Sequence, residues 1–278
     1  MNFKSSMMDL NMKDGVGYLT FRRLQEFEFV KHAFSTKLGG VSEGEFESMN
    51  LGFGRGDKKS NVIENYHRFC DAVGFDFNSL VASSQDHNTY IRCVDEKDKG
   101  IGIYRDKDIM SVDGLVTNKK GITLVTYYAD CTPIFFVDSV KKVVGLVHAG
   151  WRGTVKEIAA NMIYNMKNNY GSNAEDVICA IGPAIGKCCY EVDKPVYEQF
   201  EKIKDIDKTK IYKEKKGLKY DIDLWETNRQ ILLKSGVKDE NIVVGDICTK
   251  CSSELLFSHR ATNGKRGTLA AMICIKDI

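Results

Sequence analysis

The stretch VVGLVHAGWRGTVKEI, Val143 to Ile158, restricts the possible folds more than any other segment of the chain. Its first five residues are apolar apart from Gly145, which suits a strand buried on both faces. Gly150 and Gly153 flank Trp151-Arg152, so a tight turn follows. Thr154 and Glu157 have the T-x-x-E spacing of a capping box, which predicts a helix starting at Thr154. Val155, Ile158, Ala159, Met162, Ile163 and Met166 then recur at helical spacing, and Gly171 supplies a stop. A strand passing through a tight turn into a helix belongs to an α/β protein, and ligands commonly bind at such transitions. One of the chain's five histidines, His148, stands there.

The remaining segments extend the same pattern. Strands are predicted at Val16–Thr20, Val81–Ser83, Ile122–Tyr128, Ile134–Val137, Val177–Ile181, Ile242–Ile247 and Thr268–Ile275. Helices are predicted at Asn61–Val73, Lys194–Ile206 and Asp223–Ser235, and Ser35–Gly52 reads as a long ordered loop. The elements do not alternate regularly, so the expectation is a central mixed sheet system covered by helices. Only three prolines occur in 278 residues and no stretch resembles a linker, which favours one domain over residues 1–278. Forty basic against 38 acidic residues give a formal charge of +2. That balance lacks the concentrated basic face of a nucleic-acid binder, and Lys202 to Lys219, where Asp and Glu interrupt the lysines, reads as solvated surface. No apolar run reaches the ~20 residues of a membrane span. Met1 to Leu10 lacks the basic start and apolar core of a signal peptide, so a reduced, cytoplasmic setting is expected.

Nine cysteines must then be packing residues, metal ligands or nucleophiles. Three chemistry-bearing residues interrupt or end apolar strands: His87 in SSQDH, Cys131 in YYADCTPI and His148 in LVHAGWRG. Two imidazoles and a thiolate form a reasonable zinc triad that leaves one coordination position open. The plain alternative is a buried cysteine beside two hydrogen-bonded histidines. Another is a nucleophilic Cys131 with His148 as its base and Asp130 as an orienting or proton-donating group, the arrangement of a Cys-His amidase or deamidase. His87 separates the schemes, because only the metal requires it. Cys188-Cys189 with Cys248 and Cys251 could hold a structural zinc, but a single CxxC is a weak signal, and these four are read as packing residues at turns. Cys70, Cys93, Cys179 and Cys274 are assigned to the core. Arg152, just ahead of the predicted helix start, could clamp phosphate or stack on Trp151.

Taken in order, STKLGGVS with SMNLG, SSQDH, DGLVT, ADCTPI, HAGWRG, IGPAIGKCCYEV and CT…LLFSHR resemble the YfiH/YlmD-type laccase-domain family, also called multicopper polyphenol oxidase-like and related to mammalian FAMIN. The motifs run from Ser35 to Arg260. The resemblance implies a single α/β/β/α-layered domain, zinc on His87, Cys131 and His148, and action on purine nucleosides. The implied reactions are phosphorolysis of adenosine, inosine and methylthioadenosine, and deamination of adenosine. Nucleoside and phosphate would be the partners, held by Arg152, Arg260, Lys37 and Asn50. Copper-dependent phenol oxidation, the older family label, fits less well, because several copper centres need more imidazoles than five histidines provide. The chain departs from the family pattern near its start and in its tail. Lys37 replaces the arginine of T-R-x-G-G, which keeps charge without bidentate geometry. The tail reads FSHRA instead of FSYRR, and Thr268 falls near a later family arginine, with Lys265 and Arg266 beside it.

Overall fold

The computed structural model describes residues 5–277; residues 1–4 of the leading segment read for a targeting signal lie outside them. Two six-stranded sheets are stacked. The first runs, edge to edge, Met8–Lys13, Val16–Phe21, Val30–Ser35, Leu269–Ile275, Thr123–Tyr128 and Leu80–Ala82. The second runs Ile242–Val244, Val177–Ile181, Thr132–Asp138, Val143–Ala149, Val112–Thr117 and Tyr90–Cys93. Antiparallel pairs dominate both sheets, with a parallel pair at one edge of the first, Leu80–Ala82 beside Thr123–Tyr128, and at both edges of the second.

Strand alternation explains the layering, because successive side chains point to opposite faces. Along the last strand, Leu269, Ala271, Ile273 and Ile275 pack between the sheets, whereas Ala270, Met272 and Cys274 face outward. The outward set meets the helix Lys59–Val73 through Val62, Tyr66 and Phe69. On the far side, Val143, Val147 and Ala149 pack against the helices Ile158–Tyr170 and Leu224–Lys234. The result is the expected α/β/β/α stack of mixed sheets. A third, three-stranded sheet of Glu191–Asp193, Lys219–Ile222 and Tyr212–Lys215 builds its own apolar cluster around Phe200, Ile211 and Ile222.

Local signals failed where tertiary partners captured the side chains. Thr154 and Glu157 form no capping box. A short helix, Trp151–Val155, starts at Gly150, and Glu157 adopts φ +57° before the long helix begins at Ile158. Thr154 Oγ1 instead accepts from Asn228 Nδ2 at 3.1 Å, and Glu157 pairs with Lys234 at 2.7 Å. The helix predicted over Lys194–Ile206 ends at Glu201, and the basic run beyond it contributes buried Ile203 and Ile211, the outer strand Tyr212–Lys215 of the small sheet and the first residue of its central strand. Cys93 is exposed, unlike Cys70, Cys179 and Cys274. All nine cysteines are free thiols. No helix among the described residues is long and apolar enough to cross a membrane.

Phe135 is a keystone of the inter-sheet core. It is fully buried, meeting Phe21 at 5.7 Å and His32 at 5.9 Å between ring centroids. His32 is held neutral, its pKa lowered to about 3 by burial, and its Nε2 accepts the Phe21 N–H at 2.8 Å. Phe135→Ala should lower unfolding free energy by about 3–5 kcal/mol. Urea denaturation measures this, and an unchanged midpoint would remove Phe135 from that role.

Candidate metal centre

The chain crosses from the first sheet to the second at one rim of the stack, and all three predicted ligands lie there. Cys131 occupies the short link between Thr123–Tyr128 and Thr132–Asp138. His87 lies in the loop joining Leu80–Ala82 to Tyr90–Cys93. His148 is the penultimate residue of Val143–Ala149, and alternation with Val144 and Leu146 turns it toward the space between the sheets. Its ring stands 4.9 Å from that of His87 and 5.6 Å from that of Tyr128. The three ligand atoms lie within 4.8 Å of one another, with Cys131 Sγ 3.9 Å from His87 Nε2.

One buried carboxylate orders this cluster. Asp113 Oδ1 meets His148 Nδ1 at 2.8 Å, which turns the other ring nitrogen toward Cys131. The same carboxylate accepts backbone N–H groups from Asp86 at 3.2 Å, His87 at 3.0 Å and Asn88 at 2.9 Å. The 86–88 loop is therefore tied to the strand that carries the acid, and His87 is held at φ +69°. A non-glycine residue in that region stores strain that its surroundings must hold, a common feature of functional loops. Gln85 closes the other side, exchanging hydrogen bonds with the backbone of Tyr127 at 2.6 and 2.8 Å.

Charge is distributed to match. Burial alone would raise the Cys131 thiol, but His148 and His87 pull it down to about 6. Burial alone would lower His148, but the Cys131 thiolate and Asp113 lift it to about 9. The carboxyl of Asp113, which burial would raise, is held below its usual range chiefly by His148. Gly150 completes the cradle. A Cβ there would lie 2.8 Å from the His87 ring and 3.1 Å from Cys131 Sγ.

A cavity of about 650 Å³ opens onto the cluster. Its walls include Phe53, Trp151 and Tyr190, together with Arg55, Arg260 and Arg266. Arg260 Nη1 donates to the carbonyls of Cys189 and Glu191, and its guanidinium lies over Tyr190. Arg266 is half-buried, and burial, with Arg55 adding repulsion, lowers it to about 10. Its Nη1 donates to Gly267 O and Thr268 Oγ1, while its buried Nε has no partner.

The other sequence-selected residues are placed differently. Arg152 is exposed and stacked on Trp151, 4.3 Å from the ring. Lys37 Nζ donates to Ser253 O and lies over Phe257, off the cavity wall. Asn50 is fully buried and clamps the loop by accepting the Gly52 and Thr268 N–H groups. Asp130, at φ +88°, is committed to Thr249 Oγ1 at 2.6 Å and the Arg260 N–H at 2.7 Å. Sequence reasoning overlooked Asp113, Gln85 and Arg55, and left Arg266 without a role. The signal for Asp113 was present in DGLVT: an acid within a fully buried strand, Val112–Thr117. Cys188, Cys189, Cys248 and Cys251, read as turn packing, form a second cluster whose sulfurs lie within 4.8 Å of one another.

Comparison with known proteins gives the same class. The family model described as multi-copper polyphenol oxidoreductase laccase matches residues 31–276. The purine nucleoside phosphorylase YlmD of Bacillus subtilis is 37% identical over 245 residues, covering 88% of both chains. The adenosine deaminase RL5 of an unknown prokaryotic organism is 33% identical, covering 85% of this chain and 93% of its own. The crystal structure of YlmD from Geobacillus stearothermophilus superposes with a TM-score of 0.90 at 34% identity, covering 96% of this chain and 99% of that one. The chain belongs to this laccase-like enzyme family.

Asp113→Asn should weaken metal binding about 10- to 100-fold, since it removes the charge behind His148 and puts a donor where Oδ2 accepts the Asp86 and Asn88 N–H groups. Competition against a chromophoric chelator reads the change, and equal affinities would show that Asp113 does not position the ligands.

Proposed function

We propose that the chain is a zinc-dependent purine nucleoside enzyme. It splits adenosine, inosine and methylthioadenosine with phosphate to give free base and (methylthio)ribose 1-phosphate, and it deaminates adenosine. The observation that carries this reading is a nitrogen–nitrogen–sulfur donor set at a cavity whose wall holds an arginine N–H with no partner. The donors suit zinc by chemistry. They comprise one soft sulfur and two imidazoles, one of them backed by a carboxylate, around a space kept open by Gly150. His87, Cys131 and His148 would hold the ion, which would supply Lewis acidity there. Copper chemistry with several centres finds less support: His32 is buried in the core and His67 stacks on Phe77, so neither joins the cluster.

The chain's own residues supply the remaining requirements. Trp151, Tyr190 and Phe53 offer flat apolar faces for a purine. In phosphorolysis a phosphate oxygen bonds to the anomeric carbon as the bond to the purine nitrogen breaks, and the base departs with that electron pair. The dianion must be held close during this step, and Arg266 with Arg55, which form no ion pair among the described residues, line the cavity to do so. In deamination, water adds at the purine carbon bearing the amine and ammonia leaves. That reaction needs no phosphate, so the two activities place different demands on the arginines. Asp130 keeps the adjacent Cys131 turn and the Arg260 backbone in register.

A second reading draws on the row Asp113–His148–Cys131, which also resembles an amidase with a cysteine nucleophile. It assigns no task to His87, so His87→Ala distinguishes the two. The metal enzyme loses activity and bound zinc together, whereas the amidase keeps a reactive thiolate and its turnover. Incubation of the zinc-loaded protein with adenosine and phosphate should release adenine together with inosine or hypoxanthine, followed by chromatography. Absence of any purine product overturns the assignment. Arg266→Ala should raise the KM for phosphate at least about tenfold, the loss of one charge-assisted hydrogen bond, while deamination persists. Equal losses in both reactions would place Arg266 in the fold and not in phosphate binding.

A further inference from the structure

The four sulfurs of Cys188, Cys189, Cys248 and Cys251 lie on two turns that meet beside the cavity. The first turn follows the strand Val177–Ile181, and the second follows Ile242–Val244, its parallel neighbour. Past the strands the two segments stay in step, through an isolated bridge between Ala184 and Cys248 and a bond from the Thr249 N–H to Ala184 O at 2.9 Å. Residues 62 and 63 positions apart are thereby brought into sulfur contact: Cys189 Sγ lies 3.5 Å and Cys188 Sγ 3.7 Å from Cys251 Sγ.

We propose that these four cysteines form a second metal site, a tetrahedral tetrathiolate that takes zinc. A tetrahedron with bonds of about 2.3 Å has edges of about 3.8 Å, close to the sulfur separations here. Hydrophobic packing does not explain the cluster, since Cys188 and Cys251 are exposed and only Cys248 is buried. The surroundings favour a charged sulfur at the buried corner, where the Gly186 N–H donates to Cys248 Sγ at 3.3 Å. Binding is balanced by release of the protons carried by whichever thiols are neutral, and no sulfur is oxidised.

The site staples two arms of the cavity wall. One arm carries Ile185 and Tyr190 into the cavity and offers the Cys189 carbonyl to Arg260. The other carries Thr249, whose hydroxyl donates to Asp130 beside Cys131. This metal has no vacant position and touches no substrate, so it holds the wall and leaves the reaction to the first site.

The test is metal stoichiometry on the full chain, purified with a thiol reductant, loaded with zinc and desalted over a weak chelator. The wild-type protein should hold two equivalents, and Cys251→Ser and His87→Ala one each. Cobalt(II) substitution then identifies the surviving site. His87→Ala should keep the intense sulfur-to-metal charge-transfer bands of a four-thiolate centre, and Cys251→Ser should lose most of that intensity. The His87→Ala arm leaves all four cysteines in place, so it remains informative if Cys251→Ser folds poorly. Zinc that Cys251→Ser retains in full, or no four-sulfur spectrum in His87→Ala, overturns the proposal, whereas a single equivalent that His87→Ala keeps with a four-sulfur spectrum supports it and counts against the first site. An intact mass showing disulfides among these cysteines in freshly reduced, metal-loaded protein also overturns it.

Discussion

The Asp113 carboxylate is the contact on which the rest of the site depends. A buried acid with no partners would be costly, and this one is satisfied four times: by His148 Nδ1 and by the N–H groups of residues 86, 87 and 88. Those bonds join a loop on one side of the rim to a strand in the second sheet. Both histidines are thereby oriented by a single group, and Cys131 arrives from a third segment. Disturbing that carboxylate would unsettle ligand direction and loop conformation together, which makes it a positioning residue for the whole centre.

The rim location follows from the layered fold. Two stacked sheets fill their shared interior with apolar side chains, as Phe21, Phe135, Leu146 and Ile273 do here. Polar, ligand-forming groups are accommodated where that filling ends and the chain crosses between sheets. The cavity is bounded there by aromatic rings and by arginines that no described carboxylate pairs. This combination of apolar walls and an excess of positive charge suits a planar base beside an anionic co-substrate. The sulfur cluster, a short distance along the same wall, suits a structural task, because its ligands come from the turns that carry cavity residues and not from the cavity itself.

The comparison of sequence with structure is most informative at particular positions. His87, Cys131 and His148 could be selected because each broke an apolar strand pattern, and apolar runs report burial directly. Asp113 broke the same pattern in DGLVT, but Asp130, adjacent to Cys131 in the chain, drew the orienting role, and the structure gives the His148 contact to Asp113. Thr154 and Glu157 had correct capping spacing, but Asn228 and Lys234 of the distant helix Leu224–Lys234 bind both side chains instead. Lys37 and Asn50 lay in a loop whose motif matched the family, and the structure uses them to fasten that loop. Arg266 became prominent only once its Nε was seen buried without a partner.

By itself, the sequence determined the strand and helix periods, the α/β character and the identity of the donors, because those depend on neighbours a few residues apart. Only the tertiary structure decided which donors meet. The separations of 44 residues between His87 and Cys131, and of 62 between Cys189 and Cys251, are closed by strand order and sheet stacking. No local pattern encodes that closure. It arises from the collective burial of two sheet faces, and therefore an imidazole pair and four scattered thiols acquire a chemical meaning only after the core has formed.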